Sequence, residues 1–484
     1  MASIWLMSRY CPSFTDAGPD IIHHHMKTNT TYSVLTSLAL ATLAANAGES
    51  PAGKAPAPPP PAPAANPLSF FGGKLVLDVE ARVRFEAREN NFDFNDSVDS
   101  LADDSWLLQR VRFGALFAPT SFLKLYAQGQ DSREFFSDRP DIPGQLGAEG
   151  NDKLDLRQAW IEVGDAKSSF PLTLKAGRQT LGYGDERLIG SGEWNNIGRS
   201  FDAARLNFTG SNWSLDAFGA SVVNIYTDDI NESDLTNDSG RDQFLGGLYF
   251  STKALVIQTT DLYAFYLNES YPTGDTDFVT LGTRMKSTAG KLNGFDYEFE
   301  GAIQFGDVKG KDLSAAAVHA GTGYTFADAP WKPRIGIEYN YATGDSNPAD
   351  GDTETFQNLF PTNHRFYGYA DFFSWQNINN PAVQLKLSPC KTVTLQADYH
   401  VFWLAESADA WYRANAVTKV RPPAAGKSAD SYAGSEIDLT ATWKPCKNLA
   451  ILTGYCHFFT GDYAGASGPA DDADFVYTSM TVSF

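Results

Sequence analysis

LVLDVEARVRFE, residues 75–86, decides the fold. Leu75, Leu77, Val79, Ala81, Val83 and Phe85 share one parity, while Asp78, Glu80, Arg82, Arg84 and Glu86 share the other. A β-strand sends successive side chains to opposite faces, so this stretch predicts a strand with one apolar and one charged face. A soluble sandwich could hold one such strand. The pattern returns, however, to the end of the chain. Phe295, Tyr297, Phe299, Ile303 and Phe305 oppose Asp296, Glu298, Glu300 and Gln304. Ile335, Ile337, Tyr339 and Tyr341 oppose Arg334, Glu338 and Asn340. Leu395, Ala397, Tyr399, Val401 and Trp403 oppose Gln396, Asp398 and His400. Ile437, Leu439, Ala441 and Trp443 oppose Glu436, Asp438, Thr440 and Thr442. Lipid outside and water inside a closed barrel account for all of them.

The last segment carries the strongest single feature. Val476, Thr478, Met480, Val482 and Phe484 alternate with Tyr477, Ser479, Thr481 and Ser483, and the chain stops on Phe484. This looks like the terminal signal read by the barrel assembly machinery, which is thereby an expected partner along with outer-membrane lipid and lipopolysaccharide.

Composition agrees with a barrel. Aromatic residues make up 13% of the 484, with 10 Trp, 21 Tyr and 33 Phe, enough for ring girdles at two membrane interfaces. Mean hydropathy is −0.29, far too polar for a helical membrane protein. No apolar run of 18 or more residues follows the leader, which excludes a membrane helix on length. The net charge of −20 argues against nucleic acid as a partner. Four Cys in so long a chain do not make a disulfide scaffold, and no Cys/His spacing suggests zinc, so neither metal nor cofactor is expected.

The front of the chain reads as a leader. Met26 looks like the start, Lys27 supplies a positive n-region, and Val34 to Leu43 forms a short apolar core. Ala45-Asn46-Ala47 reads as a cleavage site before Gly48, which gives a signal peptide over 26–47. Residues 1–25 are then an upstream translation artefact. Residues 48–73 read as an Ala/Pro-rich periplasmic linker, with Pro58 to Pro61 contiguous.

Connections alternate in length. Ala118-Pro119-Thr120-Ser121, Ser388-Pro389-Cys390-Lys391 and Lys444-Pro445-Cys446-Lys447 are short. Residues 89–104, 134–152, 224–241, 343–377, 405–433 and 461–473 are long and polar. Short periplasmic turns and long outer loops are the habit of outer-membrane barrels. The expected fold is an all-β, transmembrane antiparallel β-barrel over residues 74–484. Eighteen strands are counted, starting near 74, 105, 122, 154, 171, 202, 212, 242, 254, 277, 294, 312, 331, 378, 392, 434, 448 and 474, with 16 as the alternative. Closure also satisfies every backbone amide in lipid.

Residues 177–205, GRQTLGYGDERLIGSGEWNNIGRSFDAAR, resemble the alginate export family of bacterial outer-membrane barrels, as does FQNLFPTNHRFYGYAD at 356–371. RVRFEAREN, LLQRVRFGALFAP and QGQDSREF fit the same family, and the likeness spans roughly 74–484. The resemblance implies an 18-stranded barrel in the outer membrane and passive passage of an anionic polysaccharide through a basic lumen. Periplasmic export partners would follow from such a role.

The residues bear on that implication independently. Arg82, Arg84, Arg110, Arg112, Arg178, Arg187, Arg199 and Arg205 crowd the first 130 residues of the barrel, and strand parity turns Arg82, Arg84, Arg110 and Arg112 inward. A guanidinium fork can hold a carboxylate through two hydrogen bonds, and rings of such charge give a pore an anion preference. The same Arg could instead pair with Asp78, Glu80, Glu86 and Asp202 and brace the wall. Both readings stay open. Gly177, Gly182, Gly184 and Gly190 around Arg178 and Arg187 suggest irregular backbone, as in a segment folded into the lumen.

Acidic clusters fall in the long connections: Asp93, Asp96, Asp99, Asp103 and Asp104; Asp228, Asp229, Glu232, Asp234 and Asp238; Asp345, Asp350, Asp352 and Glu354; Asp471 and Asp472. Solvated loop charge is favoured there over calcium binding. Cys390 and Cys446 lie in matching Pro-Cys-Lys turns, where a disulfide is one reading, and Cys456 reads as a small packed residue. His319, His364, His400 and His457 join no Ser/His/acid arrangement, and His364 reads as structural. The expectation is an outer-membrane channel for an anionic polysaccharide or oligosaccharide, not an enzyme. The alternatives are a general or small-anion porin and, behind it, a barrel enzyme or a structural or adhesive barrel.

Overall fold

The computed structural model describes residues 68–98, 103–137, 150–227, 229–234, 242–271, 274–423 and 430–484. The expected artefact at 1–25, the signal peptide and the linker up to residue 67 lie outside the described residues, as do Asp99, Asp228 and Asp238 of the acidic clusters.

Eighteen long strands follow one another in an antiparallel meander: β1 Leu75–Glu89, β2 Asp104–Phe117, β3 Leu123–Phe135, β4 Asp152–Gly164, β5 Leu172–Gln179, β6 Phe201–Thr209, β7 Trp213–Asn224, β8 Asp242–Thr252, β9 Gln258–Tyr271, β10 Gly274–Ser287, β11 Phe295–Val308, β12 Lys311–Thr325, β13 Arg334–Ala342, β14 Ile378–Cys390, β15 Val393–Trp403, β16 Tyr432–Cys446, β17 Leu449–Thr460 and β18 Ala473–Ser483. The last pairs with the first, from Glu80 opposite Ser483 to Glu89 opposite Asp474, and closes the barrel. Every expected start lies within four residues of an observed one. Just before β1, Ser69–Phe70 folds back to pair with Val76 and Leu75. Among the described residues no helix is long and apolar enough to cross a membrane; the strands do so.

The strand parity sets the two surfaces. Arg84 is 1% exposed while its neighbours Val83 and Phe85 are 38% and 44% exposed, so the charged parity of β1 faces the interior and the apolar parity faces lipid. Rings crowd the short-turn rim: Phe117, Phe122, Phe170, Phe295, Phe326, Trp331, Trp443 and Phe484 are all exposed there. Such a belt is the aromatic girdle of an outer-membrane barrel, and the amphipathic rings of Trp331 and Trp443 suit the boundary between hydrocarbon and headgroups. Cys390 and Cys446 are both exposed and both free, so the disulfide reading is not realised. Their turns lie on separate hairpins, β14–β15 and β16–β17, which the strand register keeps apart. Cys456 is buried.

The interior is filled by chain rather than left open throughout. The connection between β5 and β6 (180–200) and the one between β13 and β14 (343–377) both fold inward, onto the wall and onto each other. Ile189 forms a parallel bridge with Phe360, Gly190 N–H donates to Phe360 O and Phe360 N–H to Leu188 O, each at 2.8 Å. Toward the long-loop end, Phe94, Phe372, Phe373, Phe402, Trp411 and Phe458 interlock at ring separations of 4.0–6.2 Å. This aromatic core anchors the second loop, because burying its rings offsets the entropy of ordering the chain that carries them.

Candidate functional site: the basic wall and the loop it holds

Inward parity on β1, β2 and β4 brings five guanidiniums to one patch of wall. Arg82 Nη1 and Nη2 donate to the backbone carbonyls of Glu193 and Asn195, each at 2.8 Å. Arg84 donates to the Trp194 carbonyl, lies 3.9 Å over the Trp194 ring and pairs with Glu86 at 2.6 Å. Arg110 pairs with Glu80 at 2.6 Å and donates to the Asn195 carbonyl at 3.1 Å. Arg112 and Arg157 grip the two oxygens of Glu193, at 2.6 Å and 2.5 Å, and Arg110 lies 3.4 Å from Oε2. Arg157 also donates to the Ile197 carbonyl at 3.0 Å. One carboxylate is thus shared by three cations. Burial pushes the Glu193 carboxyl up, but Arg157, Arg112 and Arg110 outweigh it and hold it at about 2.

The remaining predicted residues do not join this patch. Arg178 on β5 pairs with Asp202 at 2.9 Å and donates to the Asn231 carbonyl at 2.8 Å. Arg205 on β6 lies 3.8 Å from Asp216. Arg187 is buried inside the pair of loops, 3.9 Å over the Phe366 ring and 3.1 Å from His319 Nε2. Arg199 gathers three carbonyls, of Gly190 at 2.9 Å, Phe360 at 2.8 Å and Pro361 at 3.0 Å, and so ties one loop to the other. The eight residues therefore fall into three groups: a wall patch (Arg82, Arg84, Arg110, Arg112), wall braces (Arg178, Arg205) and loop ties (Arg187, Arg199).

Sequence reasoning passed over three residues that matter here. Arg157 shares the patch, and its parity, opposite to the exposed Leu154 and Leu156, was a usable signal. Arg88 extends the β1 ladder and donates to Ala370 O at 2.8 Å, beside Asp371 at 3.3 Å. Glu193 carries no local signal, because its partners are 36 to 111 positions away on wall strands. His364, read as structural, stacks on Trp194 at 3.6 Å with Nδ1 2.9 Å from Asp371 Oδ1. Burial lowers the His364 imidazole below its ordinary value despite the Asp371 carboxylate.

An 18-strand barrel with a basic wall can now be set beside known proteins. The sequence pattern of the Alginate export family matches residues 74–478. The chain belongs to the alginate export family. No curated protein sequence matches it. Among solved structures, this family member is similar in fold to the outer membrane protein OprD of Pseudomonas aeruginosa, at 13% identity and a TM-score of 0.56, covering 85% of this chain and 94% of that one. It is similar to OpdQ of the same organism, at 15% identity and a TM-score of 0.55, over 85% and 97% of the two chains. OpdK, solved with vanillate, aligns at 11% identity and a TM-score of 0.55 over 84% and 98%. Family and barrel together make this an integral outer-membrane channel of a kind that is typically not enzymatic.

In this alginate export family member the wall patch is held by loop carbonyls and one carboxylate. Elsewhere on the wall Glu298, Glu300, Glu338, Asp398, Glu436 and Asp438 face inward from β11, β13, β15 and β16, with Arg284, Lys286 and Arg334 among them.

Proposed function

We propose that this channel passes an anionic saccharide of the uronate type, and that Arg110, Arg112 and Arg157 form a seat for its carboxylates. The observation that carries the reading is the convergence of three guanidiniums on the single carboxylate of Glu193. A lumen loop that is held this way offers the wall what a uronate would offer. When the loop lifts, the cations keep their positions and a substrate carboxylate takes the place of Glu193, with bidentate geometry available. Arg82 and Arg84, freed of the Glu193, Asn195 and Trp194 carbonyls, extend the seat along β1. Arg178, Arg187, Arg199 and Arg205 act as braces that fix the loops and wall around the path.

A second reading, a porin for small carboxylates, draws support from the fold likeness to OpdK with vanillate, itself a small carboxylate. The two differ in what the path must accommodate. Chain assembly in the membrane would rely on the terminal strand and Phe484, and polymer export would need periplasmic partners.

The test is flux into proteoliposomes of oligouronates and of neutral oligosaccharides of equal length. R112Q/R157Q is expected to slow the uronates and spare the neutral sugars. Equal loss of both, or no loss of either, would contradict the seat. Uronate flux confined to monomers would favour the small-carboxylate porin.

A further inference from the structure

Away from the basic patch, the inward face of β16 presents two acids in succession, and the facing strand presents a thiol. Glu436 and Asp438 lie two residues apart on one face, and Asp438 pairs in register with Cys456 of β17. All three are fully buried, at 0% exposure. One donor atom from each, two carboxylate oxygens and the sulfur, lie within 4.8 Å of one another.

The second loop seals this cluster. Ala370 N–H donates to Glu436 Oε1 at 2.8 Å and Tyr369 N–H to Asp438 Oδ2 at 3.4 Å. Gly368 adopts φ +83°, and a Cβ there would come 2.5 Å from Glu436 Oε2, so only glycine lets the backbone sit so close. His400 Nε2 stands 3.9 Å from Asp438 Oδ2. Each carboxylate thus has one oxygen met by a backbone amide. The other oxygen, Oε2 of Glu436 and Oδ1 of Asp438, is buried with no hydrogen-bond partner outside the cluster. Without a cation the two acids and the thiol can satisfy one another in this dry interior only by sharing protons.

We propose that Glu436, Asp438 and Cys456 form a binding site for a thiophilic divalent cation of the zinc class. Two oxygens and one sulfur make a borderline-soft donor set, and such a set selects Zn²⁺ over Mg²⁺ or Ca²⁺. Metal–ligand bonds of about 2.0–2.3 Å around a tetrahedral ion separate the donors by roughly 3–4 Å, a spacing that donors within 4.8 Å of one another reach by small side-chain shifts. The ion would bind both carboxylates and the thiolate, displacing the proton that the two acids share and the thiol proton, both released to solvent. Because Tyr369 and Ala370 rest on the same carboxylates, the bound ion would pin the 343–377 loop to β16. The site is independent of what the channel carries, so its failure would leave the saccharide reading untouched. Since the loop covers the cluster, the ion enters while the barrel folds or when the loop lifts.

The test uses the full mature chain in a C390S/C446S background, which removes the two exposed thiols. The protein is refolded with Zn²⁺, dialysed, and its zinc content measured. Cd²⁺ refolding adds a second readout, the ultraviolet thiolate-to-cadmium absorption. One ion per chain and the cadmium band are expected. C456S should abolish the band, and E436Q and D438N should each weaken zinc retention roughly tenfold or more. If C456S does not fold, E436Q and D438N carry the test, with folding checked by heat-modifiable gel migration. No retained zinc in the folded background protein, or equal retention in all variants, would overturn the proposal and leave the two acids sharing a proton.

Discussion

Replacing Glu193 with glutamine should loosen the 180–200 loop and sharpen anion preference. Glu193 is gripped by Arg157 at 2.5 Å and Arg112 at 2.6 Å. Moving its carboxyl from 4.5 to about 2 corresponds to about 3 kcal/mol of charge stabilisation at full strength. The side chain is 47% exposed, so water and salt screen the pairs and about 1–2 kcal/mol remains. The sign follows from linkage. A depressed carboxyl contributes its stability above 4.5, where both the docked and the released loop carry the charge, and loses it as pH falls from 4.5 through about 2. The amide keeps the shape of the side chain and leaves the bonds of Arg82 and Arg84 to the loop carbonyls in place. The released population should therefore rise about 5- to 30-fold without the loop coming free altogether. In planar bilayers E193Q should visit higher-conductance levels more often at neutral pH, and its reversal potential in a salt gradient should move toward the anion value. The native channel should change in the same direction only on acidification below 4.5, and the variant should lack that step. Native gating, native selectivity and a native acid step in E193Q would refute the reasoning.

Two further predictions concern the loops and the turns. W194A removes the stack on His364 at 3.6 Å and the ring under Arg84 at 3.9 Å; it should cost about 1–3 kcal/mol, read as a lower thermal midpoint in detergent, while W194F should recover most of it. Cys390 and Cys446 should both react with a maleimide in the absence of reductant and Cys456 should not, since the first two are exposed and free and the third is buried. Labelling of both turn cysteines only after reduction would restore the disulfide.

Much of the barrel was legible because the membrane imposes a strict rule. Lipid on one side of β1 forces Val83 and Phe85 outward, and Arg82 and Arg84 then have nowhere to go but the interior. The turn chemistry at 118–121, 388–391 and 444–447 marked the hairpins on the near rim. The glycine-rich run around Arg178 and Arg187 hinted at a segment inside the lumen, and 180–200 is found there. What stayed hidden depends on distant pairings. The register shifts between Gln128 and Gly129, and between Gln130 and Ser132, occur where β3 meets β4; they change which residues of β4 face inward beyond Arg157. The grip on Glu193 joins β2 and β4 to a loop that neither strand adjoins in sequence. The eight arginines read as one lining separate into wall patch, braces and ties because Arg187 and Arg199 ride on the loop while the others ride on strands. Cys390 and Cys446 share a turn motif, but a shared motif does not bring two hairpins together.

The most direct test of the central claim is the reversal potential of the refolded channel in a salt gradient, followed by addition of oligouronates. The account predicts anion selectivity and block by the uronates, both weakened in R112Q/R157Q. Cation selectivity with no uronate block would contradict it.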